Sequence, residues 1–309
     1  MKIVFMGTSD FAVPCLQAAA DRHQVAAVFT QPDRPKGRGM KLQPTPVKAE
    51  ALKRGIPVHQ PLKIRDPEVL AQLQALRPDC IVVVSYGQIL PKALLELPPL
   101  GCINVHASLL PDYRGAAPIH WAILNGERET GVTTMFMDAG LDTGDMILKA
   151  VTPITPEMNV GELHDLLARQ GSDLLAETLD RLEAGTAPRT PQDLNAGCYA
   201  PMIGRELSAV DWSWEAARIC DRIRGLDPWP AAHTICQGAR LKLFRPQTVA
   251  LDSGQEPGTV LQAGPEGLLV AAGKGAVRIT EIQGDGSKRM PVSAYLLGRT
   301  IPPGVRLGG

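Results

Sequence analysis

Four short, almost wholly apolar runs constrain the fold of this chain most. They are Lys2–Met6 (KIVFM), Val25–Thr30 (VAAVFT), Cys80–Val84 (CIVVV) and Gly101–Val105 (GCINV). Each is too short for a buried helix, and most are rich in β-branched residues, the pattern of strands buried on both faces. Helical stretches are predicted between them, at Phe11–Ala20, Thr45–Arg54, Asp66–Leu76 and Leu90–Leu97. Alternation of this kind predicts an α/β fold with a doubly wound, mostly parallel sheet of Rossmann-like type. The turn after the first strand is Gly7-Thr8-Ser9-Asp10, where Ser9 or Asp10 could cap the helix. It holds one glycine and no G-x-G-x-x-G, which argues against a nicotinamide cofactor.

Further along, Pro118–Asn125 reads as a helix. Gly131–Met137 and Met146–Val151 have no helix between them and are expected to pair as an antiparallel hairpin at the sheet edge. Val160–Glu183 is a long amphipathic helix. Thr186–Arg205 is poor in aliphatic residues and reads as a linker. A helix from Asp211 to about Leu226 is expected next. The short strands LKLF, GTVL, GLLVAA and AVRITEIQ follow, punctuated by glycine, as in a small OB-like antiparallel barrel. At 309 residues the chain is long for one core. The expected division is 1–189, a linker over 190–206, and 207–309.

Composition excludes several classes. With 44% hydrophobic and 21% charged residues the chain is globular in type, and no apolar run approaches membrane-spanning length. The start, MKIVFMGTSDFAVP, enters a strand directly, so a cytoplasmic protein is expected. The six cysteines are scattered without metal-ligand spacing, which predicts neither disulfides nor a metal. The 32 Lys+Arg balance 32 Asp+Glu, yet Arg34–Arg65 carries nine basic residues against one acid. Four prolines and two glycines keep most of QPDRPKGRGMKLQPTPVK from regular structure. An exposed basic loop of this kind suits phosphate binding, and equally a solvated surface.

Chemistry concentrates between Gly101 and Met146. Asn104 and His106 lie two residues apart on one predicted strand and so share a side. Asp142 follows the next strand, in G-L-D-T-G. An amide, an imidazole and a carboxylate together suit an amine attacking a carbonyl-type carbon. Asn104 and His106 would hydrogen-bond the developing oxyanion, and Asp142 would orient His106 or relay a proton through water. Each residue taken alone also has an ordinary reading, as a structural histidine, a turn aspartate or a strand-end asparagine.

The segments INVH, HASLLPDYRGAAPI and GLDTGDM resemble the signature of the formyltetrahydrofolate-dependent formyltransferases. That resemblance implies a catalytic trio matching Asn104, His106 and Asp142. It implies folate contacts from Ser108, Leu109, Leu110 and Pro111, and from the strand-end group Tyr86, Gly87 and Ile89. The implied co-substrate is 10-formyltetrahydrofolate, with no metal. TQPDRPKGRGMKLQPTPVK resembles the basic loop of the tRNA-directed members of the family. There it is implicated in gripping the acceptor end of initiator methionyl-tRNA; Arg38 matches the key arginine, beside Arg34, Lys36 and Lys41. YAPMIGRELSAVDW and DPWPAAHT resemble the linker and the start of the OB-like tRNA-binding domain in those members. Met40, Met202 and Arg205 stand where lysines are usual, which bears on the strength of tRNA binding. Formylation of a nucleotide-linked amino group, or RNA binding on a retired catalytic fold, are the alternatives. Nothing in the chain demands a dimer, so a monomer without membrane contact is expected.

Overall fold

The computed structural model describes residues 1–36 and 41–308. The chain begins β1 (Lys2–Gly7), α1 (Ala12–Arg22), β2 (Gln24–Phe29), β3 (Arg34–Lys36), β4 (Lys41–Gln43), α2 (Pro46–Lys53), β5 (Val58–His59), α3 (Pro67–Leu76) and β6 (Cys80–Val84). It continues α4 (Lys92–Leu95), β7 (Cys102–His106), β8 (Arg114–Gly115), α5 (Pro118–Leu124), β9 (Glu129–Phe136), β10 (Met146–Pro153), α6 (Val160–Glu183) and β11 (Tyr199–Ala200). A 3-10 turn at Arg205–Ser208 then leads to α7 (Ala216–Gly225), β12 (His233–Cys236), β13 (Ala239–Val249), β14 (Val260–Gly264), β15 (Gly267–Ala271), β16 (Ala276–Gly284), β17 (Met290–Pro291) and α8 (Val292–Leu296). Two compact units result: Met1–Gly115 with Thr130–Thr152 and His164–Ala200, and Ala116–Glu129 with Pro153–Leu163 and Pro201–Gly309.

The first unit is built on a seven-stranded sheet of order β10-β9-β7-β6-β1-β2-β5. The five strands from β5 to β7 are parallel, and β9 runs antiparallel to β7. Gly131 abuts Ala150, while the Phe136 amide donates to the Asp145 carbonyl, so β9 and β10 form the expected antiparallel hairpin at the edge. From β1 the chain winds outward through β2 to β5, then crosses back to β6 and β7. Strand order therefore reverses between β1 and β6, and the carboxyl ends there form the crevice where open α/β sheets hold ligands. Gly7 ends β1 because a side chain would not fit. A Cβ would lie 2.7 Å from Phe5 Cε1 and 3.0 Å from the Val84 carbonyl oxygen.

The sheet is buried as its apolar runs require, with Ile3–Met6 and Ile81–Val82 wholly inaccessible. One face packs Val4, Met6, Phe29, Ile81 and Val83 against Leu73, Leu90 and Leu94. Thr45 caps α2, its hydroxyl accepting from the Lys48 amide at 3.1 Å, whereas α1 starts without a side-chain cap from Ser9 or Asp10. The proline-rich stretch departs from a plain loop. Arg34–Lys36 pairs antiparallel with Lys41–Gln43, Arg34 opposite Gln43. Pro35 is tolerated because each strand belongs to a two-stranded ladder and keeps one free edge.

The second unit holds the antiparallel sheet β12-β13-β16-β15-β14, with β17 added on β16. Its end strands β12 and β14 are not hydrogen-bonded to each other, so the expected barrel is a curled half-barrel. α7 packs on β13 and α5, and its Ile219 and Ile223 join Leu241, Leu243, Val277 and Ile279 in the core. The helix begins later than its sequence suggests. Asp211 Oδ1 accepts from both the Ser213 amide (2.9 Å) and hydroxyl (2.6 Å), closing a local turn ahead of it.

Phe29 is fully enclosed and its ring stacks on His59 at 4.8 Å. Phe29→Ala is expected to cost about 3–5 kcal/mol of stability, read as a lower urea midpoint at an unchanged slope. A loss under about 1 kcal/mol would contradict this packing.

Candidate active site

β7 presents Asn104 and His106 on one side, opposite Met135 and Thr133 of β9. His106 is buried and Asn104 half-buried at the strand end. His106 Nε2 lies 2.9 Å from the Tyr113 carbonyl oxygen. A carbonyl can only accept, so Nε2 carries hydrogen whether the ring is neutral or cationic. Nδ1 is left as the atom that can gain or lose a proton, and it faces Asp142 Oδ2 at 3.7 Å. That separation exceeds a hydrogen bond and suits an ion pair when the ring is protonated.

Asp142 is held from several directions. Its Oδ2 accepts from the Gly115 amide at 2.9 Å. Its backbone sits at φ 54, a left-handed conformation that aspartate tolerates better than most residues. Gln192 Nε2 donates to the Asp142 and Gly144 carbonyls, both at 2.8 Å, while its Oε1 accepts from Arg114 Nε at 3.1 Å. Arg114 Nη2 also reaches the Asp193 carbonyl at 3.0 Å. Just beyond, Tyr199–Ala200 pairs in parallel with Arg114–Gly115. A Cβ on Gly197 would lie 2.1 Å from the Pro111 carbonyl oxygen. The segment after α6, read from sequence as linker, therefore forms in part a strap across the loop that follows β7. Gln192 and Tyr113 carry no sequence signal of a role. Gly115 and Gly197, both at positive φ, mark the close crossing.

Ser108–Pro111 is itself a braced loop. Thr133 Oγ1 donates to the Ser108 carbonyl (2.7 Å) and accepts from the Leu110 amide (3.1 Å). Ser108 Oγ donates to the Asp112 carbonyl at 2.6 Å, and Lys149 Nζ to the Leu110 carbonyl. The Ser108 and Leu110 side chains are fully enclosed or nearly so, leaving Leu109 and Pro111 with open surface.

At the end of β6, Ser85 and Gly87 both have positive φ. The Tyr86 ring is enclosed in the core, burial pushes its phenol upward, and its hydroxyl has no partner among the described residues. The Tyr86 carbonyl accepts from Thr8 Oγ1 (3.0 Å) and Gln31 Nε2 (3.2 Å). A Cβ on Gly87 would touch only the Gln31 amide at 3.7 Å, and Ile89 is 88% exposed. The structure thus offers a ligand Gly87, Ile89, Leu109 and Pro111, while Tyr86, Ser108 and Leu110 act as wall and frame. The half-buried Asn104 amide and the open ground at Gly87 fit a co-substrate laid along these strand ends.

The basic stretch is partly neutralised. Lys48 Nζ binds Asp33 and Gln60, both at 2.7 Å, and these two groups hold the Asp33 carboxyl below the usual carboxylate range. Lys53 and Arg54 pair with Glu50, and Arg54 also with Asp21. Arg34 is exposed at the hairpin. Arg38 lies outside the described residues, as do the side chains of Lys36 and Lys41. Among the described residues no group of three or more His, Cys, Asp or Glu could hold a metal. None of the described helices is long and apolar enough to cross a membrane.

Residues 1–179 match the family model described as formyl transferase, and residues 202–300 the one described as formyl transferase, C-terminal domain. The chain is 54% identical over 307 residues to methionyl-tRNA formyltransferase of Trichlorobacter lovleyi, covering 99% of this chain and 96% of that protein. It is 52% identical to methionyl-tRNA formyltransferase of Geobacter sulfurreducens, covering 100% and 97%. Its fold is similar to that of an N-formyltransferase from Helicobacter canadensis in complex with folinic acid and dTDP-3-aminofucose. There the TM-score is 0.68 at 19% identity, over 94% of this chain and 100% of that one. HypX from Aquifex aeolicus in complex with tetrahydrofolic acid matches at TM-score 0.64 and 20% identity, over 96% of this chain and 47% of that one.

The Gly115 amide reports whether Asp142 is docked. Gln192→Leu is expected to speed its hydrogen exchange about tenfold, the value of one hydrogen bond to the turn. An unchanged rate would show that Gln192 does not hold Asp142.

Proposed function

The chain belongs to the formyl transferase family, and on that premise we propose that it moves the formyl group of 10-formyltetrahydrofolate to the α-amine of methionyl initiator tRNA, for translation initiation. The observation that carries the acceptor is full-length likeness, at over 50% identity, to proteins named methionyl-tRNA formyltransferase. A neighbour solved with a nucleotide-linked amino sugar shares the fold at only 19% identity.

The donor supplies an activated formyl carbon. Asn104 and His106 supply hydrogen bonds for the negative charge that grows on its oxygen. Nε2–H is committed to Tyr113, so His106 acts through Nδ1, and only as the cation can it donate there. Asp142 sits beside that atom to hold the cation, or to take the amine proton through one water. Gly115 fixes one carboxylate oxygen and Gln192 fixes the backbone, so Asp142 is preorganised before substrate arrives. None of this requires a covalent enzyme intermediate.

Gly87, Ile89, Leu109 and Pro111 line the folate, with Tyr86, Ser108 and Leu110 shaping the surface behind them. Arg34, Lys36, Arg38 and Lys41 grip the tRNA backbone, each as a phosphate contact. Catalysis resides in 1–189 and tRNA binding in the half-barrel of 207–309, with 190–206 between. One chain carries the whole trio, so the reading needs no second copy. The enzyme acts as a monomer, in the cytoplasm, where initiator tRNA is charged.

Offered methionyl-tRNA together with a nucleotide-linked amino sugar, the purified protein should formylate only the tRNA. Product on the sugar would overturn the acceptor assignment. Asp142→Asn should lower kcat by about 10²–10⁴-fold while changing KM for methionyl-tRNA less than about threefold. A large rise in KM at near-normal kcat would instead place Asp142 in binding. Arg38→Ala should raise KM for tRNA and flatten its salt dependence by about one unit of log–log slope. Normal formylation at every salt concentration would reject Arg38 as a tRNA contact.

A further inference from the structure

α7 carries Arg218 and Arg222 at i, i+4 spacing, which places them on one helix face. Both guanidinium carbons lie over the indole of Trp214, at 3.9 and 4.9 Å from its centroid. Like charges at that spacing repel, and among the described residues neither arginine has a carboxylate within ion-pair distance. Arg222 is half-buried, and its polar contact is the Leu207 carbonyl at 3.3 Å. Burial and the charge of Arg218 together push its guanidinium below the ordinary value.

The neighbouring acids relieve this only in part: Asp211 attracts Arg218 through space, without an ion pair. Asp221 binds Arg224 at 2.6 Å, and burial pushes its carboxyl upward. Asp211 is occupied by the Ser213 amide and hydroxyl. Glu215 stands exposed on the rim. An opening of about 470 Å³ runs between this face of α7 and α5, and Trp121 of α5 lines it as well. The Trp121 ring is oriented by its Nε1 donating to the Pro201 carbonyl at 2.8 Å.

Two guanidiniums lacking an anion can grip one phosphate through forked hydrogen bonds, as arginine does better than lysine. Indole and guanidinium planes are the surfaces on which nucleobases stack. The opening is of the size of small-ligand sites. We propose that this cleft binds a nucleoside phosphate, its phosphate on Arg218 and Arg222 and its base against Trp121. The site is made wholly within the second unit, and the formyl-transfer trio takes no part in it. The same chemistry can come from a nucleotide within tRNA or from a free mononucleotide.

Titration calorimetry on the full chain tests this, using AMP and uncharged tRNA as separate probes. AMP is expected to bind the unaltered protein at millimolar concentration and to lose at least about tenfold in affinity with Arg218→Gln/Arg222→Gln. Arg218→Lys/Arg222→Lys keeps both charges but not the flat forks, so it should bind AMP more weakly than the unaltered protein. This variant also carries the test if the glutamine pair melts early. Displacement of AMP by tRNA, with the glutamine pair lowering the tRNA salt slope by about two, assigns the cleft to tRNA. AMP bound alongside tRNA, with an unchanged slope, assigns it to a free nucleotide. Absence of AMP binding, or equal binding by all three proteins, overturns the proposal.

Discussion

The hydrogen bond from His106 Nε2 to the Tyr113 carbonyl is the constraint on which the rest of the site depends. It fixes which ring nitrogen can change its proton and turns that nitrogen toward Asp142. The bond exists because the chain doubles back after β7. Tyr113 lies at φ 59, Ser108 Oγ closes onto Asp112, and Thr133 Oγ1 ties the Ser108 carbonyl to the Leu110 amide. A buried hydroxyl with both roles filled locks the loop to β9 and makes the sheet, not the loop, the reference for the imidazole. Asp142 gains its position differently. It stands on a tight left-handed turn, held from outside by Gln192 and from within by Gly144, where a Cβ would lie 1.8 Å from the Phe136 carbonyl oxygen.

The crevice and the basic hairpin share a second polar network. Asp33, just before the hairpin, is bound by Lys48 and Gln60. Gln60 donates to the Gln31 carbonyl at 2.9 Å, and Gln31 donates to the Tyr86 carbonyl at the end of β6. A charged hairpin tied this way has its root fixed to the strand ends where the co-substrate would lie. The network also changes the charge count. Lys48, Lys53 and Arg54 have carboxylate partners, so the positive field of the cluster rests on the residues that lack them, Arg34, Lys63 and Arg65 among the described ones.

Much of the fold was legible because short range and long range agree. The run at Cys80–Val84 became β6 with unchanged bounds, and Val160–Glu183 became α6 likewise, since each pattern matches one period only. Asn104 and His106 were legible as partners because strand geometry alone puts them on one side. Asp142 could be grouped with them by chemistry and by the resemblance but not by local geometry, since β9 and β10 must pair before its turn arrives. Gln192 and Tyr113 could not be read at all. Gln192 acts through an amide on two backbone carbonyls, and Tyr113 through its own carbonyl, so side-chain type carries little information. The same holds for Ser108 and Leu110, whose backbone groups are held by Thr133 and Lys149 from distant strands. In the second unit, local turn bonds at Asp211 outcompete the helix that composition favours, and the α7 arginines look like an ordinary solvated face until Trp214 is seen beneath both.

The proposed chemistry requires Nδ1 to be the working nitrogen of His106. Nitrogen-15 NMR of the ring through a pH titration tests it most directly. The expected result is a neutral form that is the Nε2–H tautomer, with Nδ1 alone changing its proton as pH varies. A neutral ring protonated on Nδ1, with Nε2 the nitrogen that titrates, would contradict it.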